Sequence, residues 1–273
     1  LDRIEGGSAI GHVRYSTTGD SVLANAQPFL VNHRHRSYAL AHNGNLVNAH
    51  IIREELEAKG SIFQTTMDSE VFLHLFIKNL VSGDYENAVL KAASKIEGAY
   101  SMILLTCKGE IIGMKDPNGF RPLALGKLNG HYVLASETCA FDLVQAEFIR
   151  ELEPGEIVVI NEDGIKSLWH PNAAKKKSLC IFEYIYFARP DSNIDGKNVY
   201  EMRKAHGARL AQESHVDADL VMPFPDSGNY AAIGYARESG IPFEMGMIRN
   251  HYVGRSFIQP TQSMRDFAVR VKL

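Results

Sequence analysis

The sequence has little that would suit it to a nucleic acid, a membrane or an oxidising compartment. Its 273 residues carry 29 Lys and Arg against 32 Asp and Glu, a net charge of −3. No basic excess is available to neutralise a phosphate backbone, so nucleic acid is not an expected partner. No apolar run approaches the roughly 20 residues needed to cross a hydrocarbon core, and Leu1-Asp2-Arg3-Ile4-Glu5 is not a secretory signal. The three cysteines, Cys107, Cys139 and Cys180, include no Cys-x-x-Cys pair. That count and spacing argue against a disulfide framework and a self-contained zinc site. The expectation is a cytoplasmic protein in which Cys107 and Cys139 are buried thiols. An initiating methionine, internal repeats and low-complexity segments are also lacking. The first of these absences suggests a processed chain or a piece of a longer one.

What is present is ordinary for a globular protein, with 45% hydrophobic and 22% charged residues. The length allows about two domains. Residues 8–15 read as a strand, and Tyr38–His42 as a second strand stopped by a sharp turn at Asn43-Gly44, since both residues tolerate positive φ. A helix capped by Asn45 and ended by Gly60 should follow, with Leu46, Val47, Ile51, Ile52 and Leu56 as its apolar stripe. Asp68 should open the next helix, with Val71, Phe72, Leu75 and Phe76 inward, and 85–96 a third. Strands are expected at 100–106, 111–114, 123–125, 132–135 and 157–160. Helices and strands in separate blocks imply an α+β layered domain with antiparallel sheets. His170–Ala174 and the lysines 175–177 read as a linker with a solvated charge run. Beyond it, a helix at about 197–214, a strand at 220–223, a helix from Asn229 and a strand at 243–245 alternate as in a parallel α/β sheet. The expected domains are thus 1–170 and 171–273.

Several polar residues could carry chemistry, each with a plainer alternative. Asn43-Gly44 offers a side-chain amide N–H and a backbone N–H that could converge on a carbonyl oxygen, as an oxyanion hole requires; it could equally be a simple turn. Arg14 could clamp a carboxylate through its planar fork, or be a surface arginine. Asp68 could bind an ammonium group, or cap a helix.

Taken together, three segments resemble the class II glutamine amidotransferase domain. They are Gly11-His12-Val13-Arg14-Tyr15-Ser16-Thr17, Ala41-His42-Asn43-Gly44-Asn45-Leu46 and Thr65-Thr66-Met67-Asp68-Ser69-Glu70. Asp116–Leu123 and Ala135-Ser136-Glu137-Thr138 also look like recurring segments of that domain. The resemblance implies a four-layer αββα sandwich of the N-terminal-nucleophile type. Arg14 would hold the α-carboxylate of glutamine, Asp68 its α-ammonium, and Asn43 and Gly44 would form the oxyanion hole. It also implies a cysteine nucleophile at the mature N-terminus. Here position 1 is Leu and no cysteine precedes Cys107, so the expectation is that the half-site binding glutamine is present and the half cleaving it is not.

The second half resembles the type I phosphoribosyltransferase part of the amidophosphoribosyltransferase family. Phe182–Ser192 looks like the join into that part, and Pro225-Asp226-Ser227-Gly228 like its pyrophosphate loop. By resemblance, Asp226 would contact substrate and Ser227 would ligate magnesium. Arg249–Pro260 is similar to a flexible loop closing over phosphoribosyl pyrophosphate, with Arg255 as a contact and His251 where an arginine is usual. Cys180 would be one of four thiolate ligands of a [4Fe–4S] cluster, its partners and a paired-aspartate motif being expected beyond Leu273.

The resemblance thus implies an enzyme that hydrolyses glutamine and passes ammonia to phosphoribosyl pyrophosphate, opening purine synthesis. Purine nucleotides are expected as feedback inhibitors and a homotetramer as the assembly. Two rivals stand beside it: another glutaminase-fused synthase, such as a hexosamine-forming enzyme, and a non-catalytic glutamine-binding module.

Overall fold

Large apolar side chains at every second position of residues 100–104 and 112–114 set the architecture of the first half. The computed structural model describes residues 6–14, 19–20, 22–254 and 261–273, which divide into two compact units, Leu1–Cys180 and Ile181–Leu273. In chain order the first unit holds β1 (Phe29–His33), β2 (Arg36–Leu46), α1 (Ala49–Glu57), α2 (Glu70–Asn79), α3 (Tyr85–Ala93), β3 (Gly98–Leu105) and β4 (Ile111–Lys115). There follow β5 (Ala124–Leu128), β6 (His131–Ala135), α4 (Cys139–Val144), β7 (Glu147–Glu151), β8 (Glu156–Asn161) and β9 (Gly164–Trp169). A six-stranded sheet runs β1-β2-β3-β4-β8-β9, and a three-stranded sheet β6-β5-β7; the pairings are antiparallel throughout.

Because side chains alternate across a strand, each sheet face is a distinct layer. Tyr100, Met102, Leu104, Ile112, Met114, Ile157 and Val159 form one face of the large sheet and share a core with Ile52, Leu56, Phe72, Phe76 and Val89 of α1–α3. Ile103, Val158 and Ile160 face the other way and meet Leu125, Tyr132 and Leu134 of the small sheet. Phe141 of α4 lies against Gly126, on the far side of β5 from Leu125. The layers therefore run helix, sheet, sheet, helix.

Several expectations change. Residues 8–14 form no strand, and residue 15 lies outside the described residues. Asn43-Gly44 is not a turn: β2 runs through it to Leu46. Asn48, not Asn45, precedes α1, and its side chain makes no capping bond. Val47 and Ile51 face solvent. Ser69 precedes α2, so Asp68 does not cap it. Cys139 is buried but Cys107 is exposed, its Sγ 3.2 Å from the Tyr85 hydroxyl. Strands β1, β7 and β9 and helix α4 were not anticipated. The stretch read as a linker lies along the first unit, with N–H groups of Ala174, Ser178 and Cys180 donating to the carbonyls of Pro117, Asn118 and Phe120.

The second unit begins with a π-helical turn (Glu183–Phe187), followed by a short hairpin of β10 (Asn193–Ile194) and β11 (Lys197–Asn198). Its helices are α5 (Val199–Glu213), α6 (Asn229–Ser239) and α7 (Gln262–Lys272). The expected parallel sheet is represented among the described residues by one parallel bridge, Val221 to Phe243. Buried Arg203 of α5 donates to the carbonyls of Tyr184 and Ala188 at 2.6 and 2.8 Å.

Candidate active site

The site grows from β2. Gly44 sits opposite Tyr100 of β3, at φ +145°. A methyl group there would lie inside contact distance of the Ala99 carbonyl, so only glycine lets the two backbones approach this closely. Asn43, beside it, is paired with Ser101. The two residues expected to form an oxyanion hole are thus held in a rigid strand.

Asp68 is tied to the same strand. Its Oδ2 accepts the Leu46 N–H at 2.8 Å, and Oδ1 lies 3.5 Å from Nδ1 of His42. Burial pushes the Asp68 carboxyl up, but the His42 imidazole and the Leu46 and Ser69 N–H groups outweigh it, holding the pKa below its ordinary value. The carboxylate is therefore charged and nearly buried, an arrangement that favours a cation.

The loop leading to Asp68 is locked. Buried Glu70 accepts the N–H groups of Gln64 and Thr65 and the Thr65 hydroxyl, and Arg53 donates to the carbonyls of Thr65 and Met67. Buried Asn25 clips the preceding segment on, donating from Nδ2 to the Asp20 carbonyl and to the Thr66 hydroxyl at 2.7 Å each. Arg14 belongs to this corner, donating to the carbonyls of Gly19 and Asp20 at 3.3 Å. His12 is neighbour to His42 and Arg14; burial, then those two neighbours, lower its pKa. Arg14, Asn43, Gly44 and Asp68 thus belong to one unit, with Asp68 pinned to the strand that bears Asn43-Gly44.

Sequence reasoning missed the supports. His42, Gln27 (whose Oε1 accepts the His42 N–H at 2.7 Å) and Glu70 were given no role. Nor was Asp116, fully buried, whose carboxylate accepts the N–H groups of Asn118, Phe120 and Arg121 at 3.0 Å. Burial raises the Asp116 pKa despite these donors. Arg121 reaches from this loop to Asn43 Oδ1 at 2.6 Å. The available signal was the place of Asp116 at the head of Asp116–Leu123, a segment that looks like a recurring one of the resembled domain.

In the second unit, Asp226 and Ser227 lie in the turn before α6. The Asp226 carboxylate receives Nη1 of Arg249 at 2.6 Å. Arg255 lies outside the described residues, as do Tyr15-Ser16-Thr17. Among the described residues no group of three or more His, Cys, Asp or Glu side chains could hold a metal ion. A hard cation wants several oxygen ligands; here Ser227 offers one hydroxyl, and the adjacent carboxylate is engaged by Arg249. Cys180 is half-buried, and three cysteines cannot supply the four thiolates of a cluster. The chain's own described residues complete neither site.

Residues 12–142 match the glutamine amidotransferase domain family. The first unit thus has the fold of a class II glutamine amidotransferase domain. The chain is 51% identical, over its whole length, to 57% of the amidophosphoribosyltransferase of Bacillus subtilis (strain 168). It is 50% identical, again over its whole length, to 48% of the chloroplastic amidophosphoribosyltransferase of Glycine max. A solved structure of the B. subtilis glutamine phosphoribosylpyrophosphate amidotransferase, complexed with ADP and GMP, matches 96% of this chain and 56% of that one, at 49% identity and a TM-score of 0.84. Over its whole length the chain is thus similar to amidophosphoribosyltransferases. It spans about half the length of the curated relatives it matches. No helix among the described residues is long and apolar enough to cross a membrane.

Proposed function

We propose that the protein carrying this chain catalyses the first committed step of purine biosynthesis. Glutamine is hydrolysed in the first unit. The ammonia released attacks C1 of 5-phosphoribosyl 1-pyrophosphate, giving 5-phosphoribosylamine, pyrophosphate and glutamate. Transfer away from bulk water keeps the ammonia unprotonated and nucleophilic. The domains are assigned as a glutaminase over 1–170 and a phosphoribosyltransferase part over 171–273.

The observation that carries the reading is the attachment of the Asp68 carboxylate to both His42 and Leu46, on either side of Asn43-Gly44. Asp68 then binds the α-ammonium of glutamine, and Arg14, by exchanging the carbonyls of Gly19 and Asp20 for the ligand, its α-carboxylate. The Asn43 amide and the Gly44 N–H receive the developing γ-oxyanion. Within this reading Asp226 and Arg255 contact the phosphoribosyl substrate, Ser227 ligates magnesium and Cys180 is one [4Fe–4S] ligand. Each of those two metal sites needs ligands beyond this chain's described residues. Purine nucleotides are assigned as feedback inhibitors, the assembly as a homotetramer and the location as the cytoplasm.

The test is the full-length protein with amide-labelled glutamine and phosphoribosyl pyrophosphate. Label should enter 5-phosphoribosylamine. Asp68→Asn should raise the glutamine KM by about 100-fold or more, in line with loss of a buried charge pair, while leaving synthesis from added ammonium salt intact. Equal loss of both activities, or glutamine affinity unaffected by Asp68→Asn, would sink the assignment.

A further inference from the structure

We infer that Arg121 is a positioning residue for glutamine hydrolysis, acting through Asn43; the inference rests on the reading of Asn43-Gly44 as the oxyanion hole. The Arg121 Nη2 donates to Asn43 Oδ1 at 2.6 Å, across 78 residues of sequence. A guanidinium carries donors and no acceptor, so this contact can be made only by the amide oxygen. It therefore decides which end of the Asn43 amide faces the guanidinium and turns the –NH2 end away from it. Without it, the amide could present its oxygen to a developing anion, which would repel it.

The guanidinium has a second effect. A positive donor on the amide oxygen draws electron density through the conjugated O–C–N unit and leaves the N–H groups more acidic. Hydrogen bonds polarise one another in this way inside a low-dielectric site. The oxyanion donor is thus both oriented and strengthened, with no direct contact between Arg121 and substrate.

The local structure is built to deliver this contact. Asp116, fully buried, collects the N–H groups of Asn118, Phe120 and Arg121 on its carboxylate. Its own N–H donates to the carbonyl of Tyr100, the residue opposite Gly44. The Arg121 loop is therefore registered on β3, and β3 on the strand bearing Asn43. Gly119 supplies the positive φ, +71°, that wraps the loop round the carboxylate.

The experiment measures glutamate release from glutamine by the full-length protein in Arg121→Met, Arg121→Lys, Asn43→Ala and the Arg121→Met/Asn43→Ala double variant. Loss of one oxyanion donor should lower kcat by about 100- to 1,000-fold in Asn43→Ala. Arg121→Met should lower kcat by roughly 10- to 100-fold with the glutamine KM changed by less than about threefold, the pattern of a group felt only in the transition state. Arg121→Lys, which keeps a cationic donor, should recover part of that loss. The double variant should be no slower than Asn43→Ala, within about twofold, because both changes remove one interaction. If Arg121→Met does not fold, the kcat and KM of Arg121→Lys carry the comparison, with a kcat loss at constant KM expected. A raised KM at unchanged kcat, or losses that multiply in the double variant, would overturn the inference while leaving the oxyanion hole standing. Full activity in Asn43→Ala would overturn both.

Discussion

Gly44→Ala tests the geometry of the site without depending on its chemistry. The residue sits at φ +145°. A methyl group on it would come within 2.8 Å of the Tyr100 Cα and 2.9 Å of the Ala99 carbonyl carbon, and nearer still to the carbonyl oxygen. Relaxed carbon contacts lie near 3.5–4.0 Å, so β2 and β3 would have to separate within a ladder that eight residue pairs, from Ala39–Leu105 to Leu46–Gly98, hold together. Holding a non-glycine residue in such a conformation costs about 1–3 kcal/mol, and forcing extra volume into a packed site about as much again. A loss near 4 kcal/mol is therefore expected, a large part of the 5–15 kcal/mol typical of a domain. Urea unfolding followed by circular dichroism would show it as a lowered midpoint with an unchanged slope. Gly60→Ala is the control: φ there is also positive, at +87°, but nothing lies within 4 Å of the added carbon, so the cost should be only about 1–2 kcal/mol. If Gly44→Ala is no more harmful than Gly60→Ala, the close approach of β2 and β3 is not what requires glycine.

Two further perturbations probe other parts of the chain. The Lys115 side chain is fully buried, its Nζ donating to the Leu152 carbonyl at 2.9 Å, and burial followed by the charge of Lys177 lowers its pKa from 10.5 to about 8. The unfolded chain then binds the proton more tightly, so this group's contribution to stability rises between pH 8 and 10.5, by up to about 3 kcal/mol. Lys115→Met should remove that rise; urea midpoints that keep the wild-type pH slope across this window would refute it. In the second unit, methyl groups on Gly207 and Gly234 would strike the backbones at Ala231 and Lys204, so α5 and α6 meet through reciprocal glycines. Gly207→Ala should reduce hydrogen-exchange protection in α5 and α6, corresponding to about 1–3 kcal/mol of overpacking, and unaltered protection in those helices would count against this packing.

The layers of the first unit were legible in the sequence because burial on one face of a strand imposes a visible alternation. Helices at 49–57, 70–79 and 85–93 were legible through the same logic at helical spacing. The failures have specific causes. Asn-Gly carries a strong turn preference, but eight ladder pairings and the need for a residue without a Cβ opposite Tyr100, against the Ala99 carbonyl, override it. Asp68 reads locally as a cap, whereas its carboxylate is used 22 residues away, on the Leu46 N–H. Strand β7 has three exposed residues at its start, so no apolar alternation marked it. Arg121 and Asn43 are 78 residues apart, and nothing in local pattern or propensity links them. The parallel sheet expected of the second unit is seen only as a single bridge among the described residues, since alternation of helix and strand signals sets topology but not the length of the ladder.

The placement of the proposed roles on β2 bears on selectivity. Asp68 is fastened to the strand at His42 and at Leu46, and Asn43 and Gly44 lie between those two points. The group assigned to the α-ammonium and the groups assigned to the γ-oxyanion therefore share one rigid reference, with a rise of about 3.3 Å per residue. A pocket measured along a strand holds its reacting groups more closely than one carried on loops. A substrate one methylene shorter could satisfy Asp68 or the oxyanion donors, but a mismatch of about 1 Å at the reacting carbonyl is enough to cost 100-fold in rate. Arg14 contrasts with this arrangement, because its guanidinium is held to backbone carbonyls of Gly19 and Asp20 rather than to β2. On the proposed reading, the carboxylate end of the substrate meets the corner that Asn25 and Thr66 clip to the Asp68 loop. The distance from ammonium to amide is what the fold fixes.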